Sequence, residues 1–286
     1  AQGGGLAMVS PANTYVGLTK AGAGTVAGEP GIYYPTKKRN YARVVAADDY
    51  QGAADALYAK KLGAKSVFVL TDNETYGKGV ASIFNRAAAK AGMSVKGFQS
   101  WDPKASSYEA LGARIKQSGA QAVFFGGIVC NNGAKLVADI RAAVGPNVKF
   151  FAPDGFTPFD AVTKGAGSAA NGMVVSVAGY PTEKLGPAGK KFAADLTKYQ
   201  KRKPDPYAVY GAQAAIVLLD AIGRSNGTRS SVIQQVFKTN LKGSLLGDFS
   251  ITPNGDTTGG VITMYKLPTG AAVDTVTPPL SFIKSL

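Results

Sequence analysis

The chain has 286 residues, of which 45% are apolar and 17% charged, and its formal net charge is +14. This composition is typical of a folded globular protein and excludes a disordered one. The sequence contains no run of about 18 apolar residues, which a membrane-spanning helix requires. It has no His and a single Cys, which excludes His-based catalytic triads, His metal ligands and an internal disulfide.

The positive charge is mostly lysine spread singly along the chain, with local clusters at residues 37–39 and 201–203. A solvated surface accounts for such charge, and docking on an anionic membrane surface or an acidic partner is the alternative. Nucleic acid is disfavoured as a partner because no nucleic-acid-binding motif accompanies the charge. Cys130 follows a predicted strand, and we expect its thiol to be buried and unreactive.

The first 46 residues predict two short strands separated by a long loop. An apolar stretch over 5–10 leads into Pro11-Ala12-Asn13-Thr14, and a second extended stretch covers 41–46. Residues 15–40 are rich in Gly, Pro and Lys without a clear period, which predicts a loop.

From residue 52 onward, helical and strand patterns alternate regularly. Apolar spacing predicts helices over 52–62, 76–91, 108–117 and 134–143, and apolar runs predict strands over 66–70, 94–101, 122–126 and 148–152. This alternation predicts βαβ units and a parallel sheet covered by helices on both faces, and therefore an α/β fold.

The remaining third predicts one more strand, several helices and a final pair of strands. The patterns place a short helix over 159–163, a strand over 172–177 and longer helices over 189–199, 207–222 and 230–239. The helix over 207–222 is apolar on nearly every side, which predicts that it is buried. Residues 245–249 and 261–265 predict antiparallel strands around the turn Pro253-Asn254-Gly255.

Polar residues follow several of the predicted strands, where α/β proteins bind ligands. Asp154 stands between a Pro and a Gly directly after the run Phe150–Ala152, and a cap of its own turn is the structural alternative. Asp72 ends another strand, where it either pairs with Asp154 in acid-base chemistry or caps the turn before the next helix.

The strand ends together suit a small zwitterion. Ser10 and Thr14 offer hydroxyl groups, Ala12 offers a backbone amide, Tyr76 offers an aromatic face and Asp154 a carboxylate. Hydroxyl and amide donors bind a carboxylate, whereas a carboxylate and an aromatic face bind an ammonium group. A binding site therefore fits these residues better than a hydrolytic centre does.

Four motifs carry a resemblance to a known family. They are Ser10-Pro11-Ala12-Asn13-Thr14, Asp72 with Tyr76-Gly77-Lys78-Gly79, Gly126-Gly127, and Pro153-Asp154-Gly155. In their order and approximate spacing the chain resembles the leucine/isoleucine/valine-binding proteins of bacterial ABC importers, which have the type I periplasmic-binding-protein fold. The resemblance covers essentially the whole chain.

The resemblance implies two Rossmann-like lobes with parallel sheets, joined by three crossovers near 47–51, 174–177 and 257–261. It assigns residues 1–48 and 175–258 to lobe 1, and residues 49–174 and 259–286 to lobe 2. It also implies that lobe 1 lacks its N-terminal strands, so that the chain is either a fragment or has an abbreviated first lobe.

The resemblance also assigns roles to individual residues. Ala12 and Thr14 are expected to bind the main-chain groups of an amino acid, and Tyr76 is expected to pack over it from lobe 2. Ser10, the hydroxyl residue that opens the first motif, is counted with them as a ligand-binding residue. Asp154 is expected to pair with the ammonium group.

Two departures and one weaker match concern the ligand side chain. Tyr207 matches an aromatic residue near that side chain. Ile128 stands where the family has an aromatic residue after Gly-Gly, and Asp154 replaces a longer Glu. Both replacements remove bulk, so we expect a larger or differently shaped ligand.

The sequence therefore predicts an extracytoplasmic solute-binding protein that captures a small amino acid, branched-chain or related, or a similar carboxylate, between two lobes. Its expected partner is the membrane permease of an ABC importer, and no catalysis, cofactor, metal or nucleic acid is expected. The expected location is periplasmic or extracellular, and a lipid anchor before residue 1 is left open. The alternatives are a cytoplasmic ligand-sensing regulator on the same fold and an α/β enzyme that uses Asp72 and Asp154.

Overall fold

The structure is a computed structural model that describes residues 5–286. The chain divides into two compact units, of which unit 1 comprises Ala1–Ala47 and Ala178–Val261, and unit 2 comprises Asp48–Val177 and Ile262–Leu286. Residues 1–4, which the sequence assigned to lobe 1, lie outside the described residues.

The helices and strands of both units are numbered in chain order. The strands are β1 (Met8–Ser10), β2 (Tyr41–Arg43), β3 (Ser66–Thr71), β4 (Ser94–Ser100), β5 (Ala122–Gly126), β6 (Lys149–Ala152), β7 (Val174–Ala178), β8 (Asn240–Ser244), β9 (Gly247–Ser250), β10 (Ile262–Lys266) and β11 (Ala271–Val276). The helices are α1 (Asp48–Lys61), α2 (Thr75–Lys90), α3 (Glu109–Ser118), α4 (Ala134–Val144), α5 (Phe159–Ala166), α6 (Pro187–Gln200), α7 (Ala208–Gly223), α8 (Arg229–Phe237) and α9 (Leu280–Ile283).

Unit 2 is built on one mixed, mostly parallel sheet in the order β11-β10-β7-β6-β5-β3-β4. Strands β3 to β7 pair in parallel, and β10 and β11 pair in antiparallel fashion. Every residue of β3, β5 and β7 is buried, because helices cover both faces of such a sheet. The predicted α/β fold with a largely parallel sheet is confirmed.

Alternate residues of the central strands supply the cores on the two faces of this sheet. On one face Phe124 stacks on Phe84 of α2, with ring centroids 4.0 Å apart. On the other face Phe125 meets Phe150 edge-on at 5.0 Å, in one cluster with apolar residues of α3, α4 and α5. This alternation of side chains between the two faces is the geometry of a strand, and it gives the sheet a packed core on each face.

Unit 1 contains the parallel pair β1–β2, the antiparallel pair β8–β9 and helices α6, α7 and α8. The predicted pairing of 245–249 with 261–265 is wrong, because β9 pairs with β8 and β10 pairs with β11. The turn around Gly255 lies instead against β2, where the Arg43 amide donates to the Gly255 carbonyl at 2.8 Å.

Two further expectations about burial are wrong. Helix α7 is not buried all round, since Leu219 and Ile222 are 67% and 52% exposed; the neighbours of α7 leave this side of the helix uncovered. Cys130 is exposed, because it lies in the turn Val129–Gly133, whose buried positions are Val129 and Gly133.

The predicted loop over 15–40 contains two short 3-10 turns, Val16–Leu18 and Gly31–Tyr33. The buried carboxylate of Glu29 accepts hydrogen bonds from the Tyr15 and Tyr33 hydroxyls, both at 2.7 Å, and from the Val26 amide. Burial raises the pKa of Glu29, but these hydrogen bonds outweigh it and hold the pKa below its ordinary value. An ionised carboxylate therefore orders this loop.

Arg43 is the main polar anchor of unit 1. Its side chain is fully buried, and its Nε lies 2.9 Å from Asp256 Oδ1. Its Nη1 donates to the carbonyls of Asn13 and Tyr15, at 3.0 and 2.9 Å, on either side of Thr14. A buried cation needs such partners, and here they fix the segment after β1.

Arg43→Met should therefore destabilise the protein by about 3–5 kcal/mol. The variant removes the closer of the two cations of Asp256, of which the other is Lys20 at 3.5 Å, and it removes the donor from the Asn13 and Tyr15 carbonyls. Urea denaturation measures this loss. Lys242→Met, which removes the exposed ion pair with Asp248, is the matched control and should leave the free energy of unfolding almost unchanged. A loss below about 1 kcal/mol for Arg43→Met would contradict this role.

A second buried network lies between α1 and β7 in unit 2. Gln51 Nε2 donates to Ser176 Oγ at 3.0 Å, and this hydroxyl donates to Asp55 Oδ2 at 2.9 Å. Burial raises the pKa of Asp55 well above its ordinary value, the Ser176 hydrogen bond lowers it in part, and the charges of Asp154 and Asp48 raise it further. Asp55 is therefore neutral over a wider pH range in the folded chain than in the unfolded chain.

Because the pKa of Asp55 is higher in the folded chain than in the unfolded chain, the stability of the fold falls as the pH rises from the lower of these pKa values towards the higher one. Asp55→Asn keeps the shape but cannot ionise, so the variant should gain stability relative to the wild type as the pH rises from about 4, the ordinary pKa of an aspartate, towards the raised folded pKa. Urea denaturation over this range measures the difference. Asp160→Asn is the control, because the Lys164 hydrogen bond lowers the pKa of the exposed Asp160 and any change should have the opposite sign. A difference for Asp55→Asn that is independent of pH would contradict a buried neutral carboxyl.

Candidate functional site

The carboxyl ends of β3, β5 and β6 in unit 2 lie side by side. Thr71 pairs with Gly126, and Phe124 pairs with Phe151, so the three strands end at nearly the same level. In open α/β sheets this edge is where ligands bind. The segments that follow these strands bring together Tyr76, Ile128 and Asp154.

Tyr76 and Asp154 form the closest polar contact at this edge. The Tyr76 hydroxyl donates to Asp154 Oδ1 at 2.6 Å and accepts from the Gly155 amide at 3.3 Å. Tyr76 lies in the first turn of α2, and Asp154 opens the short 3-10 turn Asp154–Phe156 after β6. A phenol, a carboxylate and an aromatic face therefore lie together, as the binding of an ammonium group requires.

The turn that carries Asp154 is anchored on both sides. The Asp154 carbonyl accepts from the Thr157 amide at 2.9 Å and from its hydroxyl at 2.7 Å. The buried Phe156 packs near Phe125, with ring centroids 6.1 Å apart. The Asp154 side chain is only 7% exposed, so the turn holds a nearly buried carboxylate in one place.

Glycines allow the loops after β5 and β6 to approach each other. A Cβ on Gly155 would lie 2.3 Å from the Gly127 carbonyl oxygen and 3.0 Å from Tyr76 Cε1. A Cβ on Gly127 would lie 2.6 Å from Trp101 Cη2. The distance between these loops therefore depends on glycine at 155, whereas glycine at 127 allows the loop after β5 to pack against Trp101.

Asp72 connects the loops rather than presenting a reactive group. Its Oδ1 accepts from the Glu74 amide at 3.1 Å, and its Oδ2 accepts from the Ile128 amide at 3.1 Å and from Asn131 Nδ2 at 2.8 Å. Asp72 is 2% exposed. These contacts match the turn-capping interpretation, and they do not favour proton transfer shared with Asp154.

Ile128 lies beside the Tyr76–Asp154 pair and is partly exposed. Its Cγ2 lies 2.9 Å from the position that a Cβ on Gly155 would occupy. The side chain is 36% exposed, so it offers a branched aliphatic surface next to the carboxylate.

The predicted site residues of unit 1 follow β1. Ser10 Oγ accepts from the Asn13 amide at 2.9 Å and, in a longer bond of 3.3 Å, from the Ala12 amide. Thr14 is 2% exposed, and Arg43 holds the carbonyls on either side of it. The fold of unit 1 therefore sets the conformation of this segment.

Tyr207 precedes α7 and is partly buried. Its hydroxyl accepts from the Ala178 amide at 3.2 Å, and its ring meets Tyr210 edge-on with centroids 5.8 Å apart. Within unit 1 this residue supports the start of α7, and its predicted contact with a ligand side chain stays a prediction.

Sequence reasoning missed the residues that support the site. Arg43 interrupts an apolar strand, and a charged residue in such a strand is buried only when it is paired. This position in the sequence could therefore have indicated a buried ion pair. No pattern pointed to Trp101, whose indole donates to the Asn131 carbonyl at 2.7 Å. Asn131 in turn donates to Asp72, so Trp101 supports the same loop.

The described part of the chain has neither a cluster of metal-ligating side chains nor a membrane-spanning helix. Between residues 5 and 286, no group of three or more His, Cys, Asp or Glu residues is placed to hold a metal ion. Within the same residues, no helix has both the length and the apolar character needed to cross a membrane.

The chain is similar to known proteins along most of its length. Residues 11–271 match the family described as periplasmic binding protein. The Leucine-, isoleucine-, valine-, threonine-, and alanine-binding protein of Pseudomonas aeruginosa is 25% identical over 78% of this chain and 59% of its own length. The Leu/Ile/Val-binding protein of Citrobacter freundii is 26% identical over 89% of this chain and 64% of its own length. The chain thus spans about three fifths of the length of these relatives.

A solved structure shows the same fold. The leucine binding protein LivK of Thermotoga maritima superposes with a TM-score of 0.82 at 24% identity, over 95% of this chain and 73% of that one. The match of the family over most of the chain, together with this fold and the arrangement of strand ends, identifies the protein as a member of the periplasmic binding protein family.

Proposed function

We propose that this protein is the extracytoplasmic substrate-binding component of an ABC importer and that it binds a small amino acid with an aliphatic side chain. The observation that carries the proposal is the Tyr76–Asp154 pair, a nearly buried carboxylate and a phenol at the carboxyl ends of parallel strands. Curated relatives named for binding Leu, Ile and Val support the ligand class.

The ammonium group of the ligand is assigned to Asp154. A carboxylate accepts several hydrogen bonds at once, so Asp154 can bind an ammonium group while it accepts from Tyr76. The Tyr76 ring adds a cation–π contribution. Ile128 then offers an apolar contact to an aliphatic side chain.

The carboxylate of the ligand is assigned to donors on residues 10–14. The Ala12 amide makes only a 3.3 Å bond to Ser10 Oγ, so a charged acceptor competes well for it. The Ser10 and Thr14 hydroxyls are the further donors in this assignment.

Binding without catalysis fits the chemistry of these residues. Asp72 accepts three hydrogen bonds from loop groups, and the sequence has no His to serve as a general base. The partner that follows from the function is the permease of the importer, which recognises the ligand-bound conformation. This role places the protein outside the cytoplasm.

Thermal melting with L-leucine, L-isoleucine, L-valine, L-alanine and L-threonine tests the proposal. A ligand at about 100 times its Kd adds about 2.7 kcal/mol, which raises Tm by several degrees in a chain of this size. Asp154→Asn should remove most or all of the shift, because losing one partner of a buried charge pair costs about 2–5 kcal/mol of binding free energy. Tyr76→Phe keeps the ring and should cost only about 0.5–1.5 kcal/mol.

Asp160→Asn removes the same charge from an exposed position of unit 2 and should leave the ligand-induced shift unchanged. An unchanged shift in Asp154→Asn would refute the assigned role of this carboxylate. A wild-type chain that melts cooperatively but shows no shift with any of these amino acids would refute the ligand class.

The glycine at 155 provides a second, geometric test. Gly155→Ala places a methyl group against the Gly127 carbonyl and the Tyr76 ring, so the Tyr76–Asp154 hydrogen bond should be disturbed. We expect ligand affinity to fall about tenfold or more, whereas Gly186→Ala, which meets no atom within 4 Å, should not change it. Isothermal titration measures the ligand affinity of both variants. Equal affinities would show that the distance between the loops after β5 and β6 does not affect ligand binding.

A further inference from the structure

Unit 1 contains a groove of about 630 Å³ between α8 and the segment 33–40. Helix α8 lines it with Ser230, Ile233, Gln234 and Phe237, which share one helix face by their spacing of three and four residues. The volume is within the range of small-molecule sites.

The groove is separate from the predicted ligand contacts at residues 10–14. Gly5 and Asn40, which precede β1 and β2, line one end of it. Strands β1 and β2 are parallel, with Met8 opposite Tyr41, so their amino ends lie at one edge. Residues 10–14 follow the opposite end of β1.

Aromatic and aliphatic side chains form the apolar walls. Tyr33, Tyr34, Ile233 and Phe237 are among the lining residues. Burial and the hydrogen bond to Glu29 raise the pKa of Tyr33 to about 12, so its phenol is neutral near pH 7 and does not repel an anion.

All the charged side chains that line the groove are cations. They are Lys38, Arg39 and Lys238, and the lining contains no Asp or Glu. Neither Lys38 nor Lys238 makes an ion pair with any residue in the described range 5–286. Among the described residues, the one carboxylate bonded to the groove wall is that of Glu29, which accepts from the Tyr33 hydroxyl at 2.7 Å. The three cations outnumber it, so the groove carries a net positive charge that attracts anions.

Arg39 is the most fixed of the three cations. Its Nη1 donates to the carbonyls of Thr19 and Asn254, at 2.7 and 3.2 Å. Its guanidinium lies over the Tyr34 ring, 5.2 Å from the centroid. A guanidinium held in place loses little further entropy when it binds a carboxylate, sulfonate or phosphate.

We propose that this groove is a second ligand site, which binds a small organic anion with an apolar body. The apolar body packs against Tyr33, Ile233 and Phe237. The acidic group pairs with Arg39, and the two lysines increase the local concentration of the anion and strengthen its binding.

Fluorescence titration of the complete chain with anilinonaphthalene sulfonate, an apolar aryl sulfonate, tests the proposal. Lys38→Gln combined with Lys238→Gln should weaken binding about three- to tenfold. Lys198→Gln combined with Lys203→Gln is the matched control, because it removes two exposed charges from unit 1 outside the groove and should leave affinity within about twofold. Equal losses in both double variants would show general attraction to a cationic protein and overturn the proposal.

Two further experiments test where the aryl sulfonate binds and whether its negative charge is required. Ile233→Asp places a carboxylate on the groove wall and should abolish the fluorescence gain while thermal melting stays cooperative. Phenylnaphthylamine, which lacks the sulfonate, should bind at least about tenfold more weakly than the sulfonate. Undiminished binding to Ile233→Asp, or equal affinity for the neutral analogue, would overturn the proposal.

Discussion

The hydrogen bonds accepted by Asp72 are the interactions on which the candidate site depends. They join the end of β3 to the backbone after β5, and the sheet itself keeps these strand ends level. Tyr76 follows on α2, and Ile128 carries one of the donating amides. Without these bonds, the loops after β3 and β5 would lose this connection. Asp72 therefore supports the Tyr76–Asp154 pair, although it does not belong to the pair.

The sequence was most informative where one local signal was enough. Apolar runs and helical spacing predicted the sheet of unit 2, and Pro153 and Gly155 marked the turn that carries Asp154. It failed where a partner distant in the chain decides the outcome. Strand β9 pairs with β8 and not with residues 261–265, because the turn at Gly255 lies against β2. The apolar face of α7 gave no sign that Leu219 and Ile222 are exposed.

Arg43 of unit 1 and Asp55 of unit 2 respond differently to burial, which disfavours the charged form of either side chain. Arg43 stays charged in the interior because Asp256, two carbonyls and a hydroxyl satisfy it. Asp55 is fully buried, has one hydroxyl donor and has like charges nearby. Burial raises the pKa of Asp55 most, so the neutral carboxyl is the less costly form. Neither result follows from residue type alone, because both depend on which groups the fold places alongside.

Cys130 is the single cysteine of the chain, and it lies exposed two residues after Ile128. A thiol-reactive fluorophore would therefore attach at one position without any prior mutagenesis. The dye would be carried on the turn that also contains Asn131, a donor to Asp72. The native chain thus already provides the attachment point for an optical sensor of its own ligand.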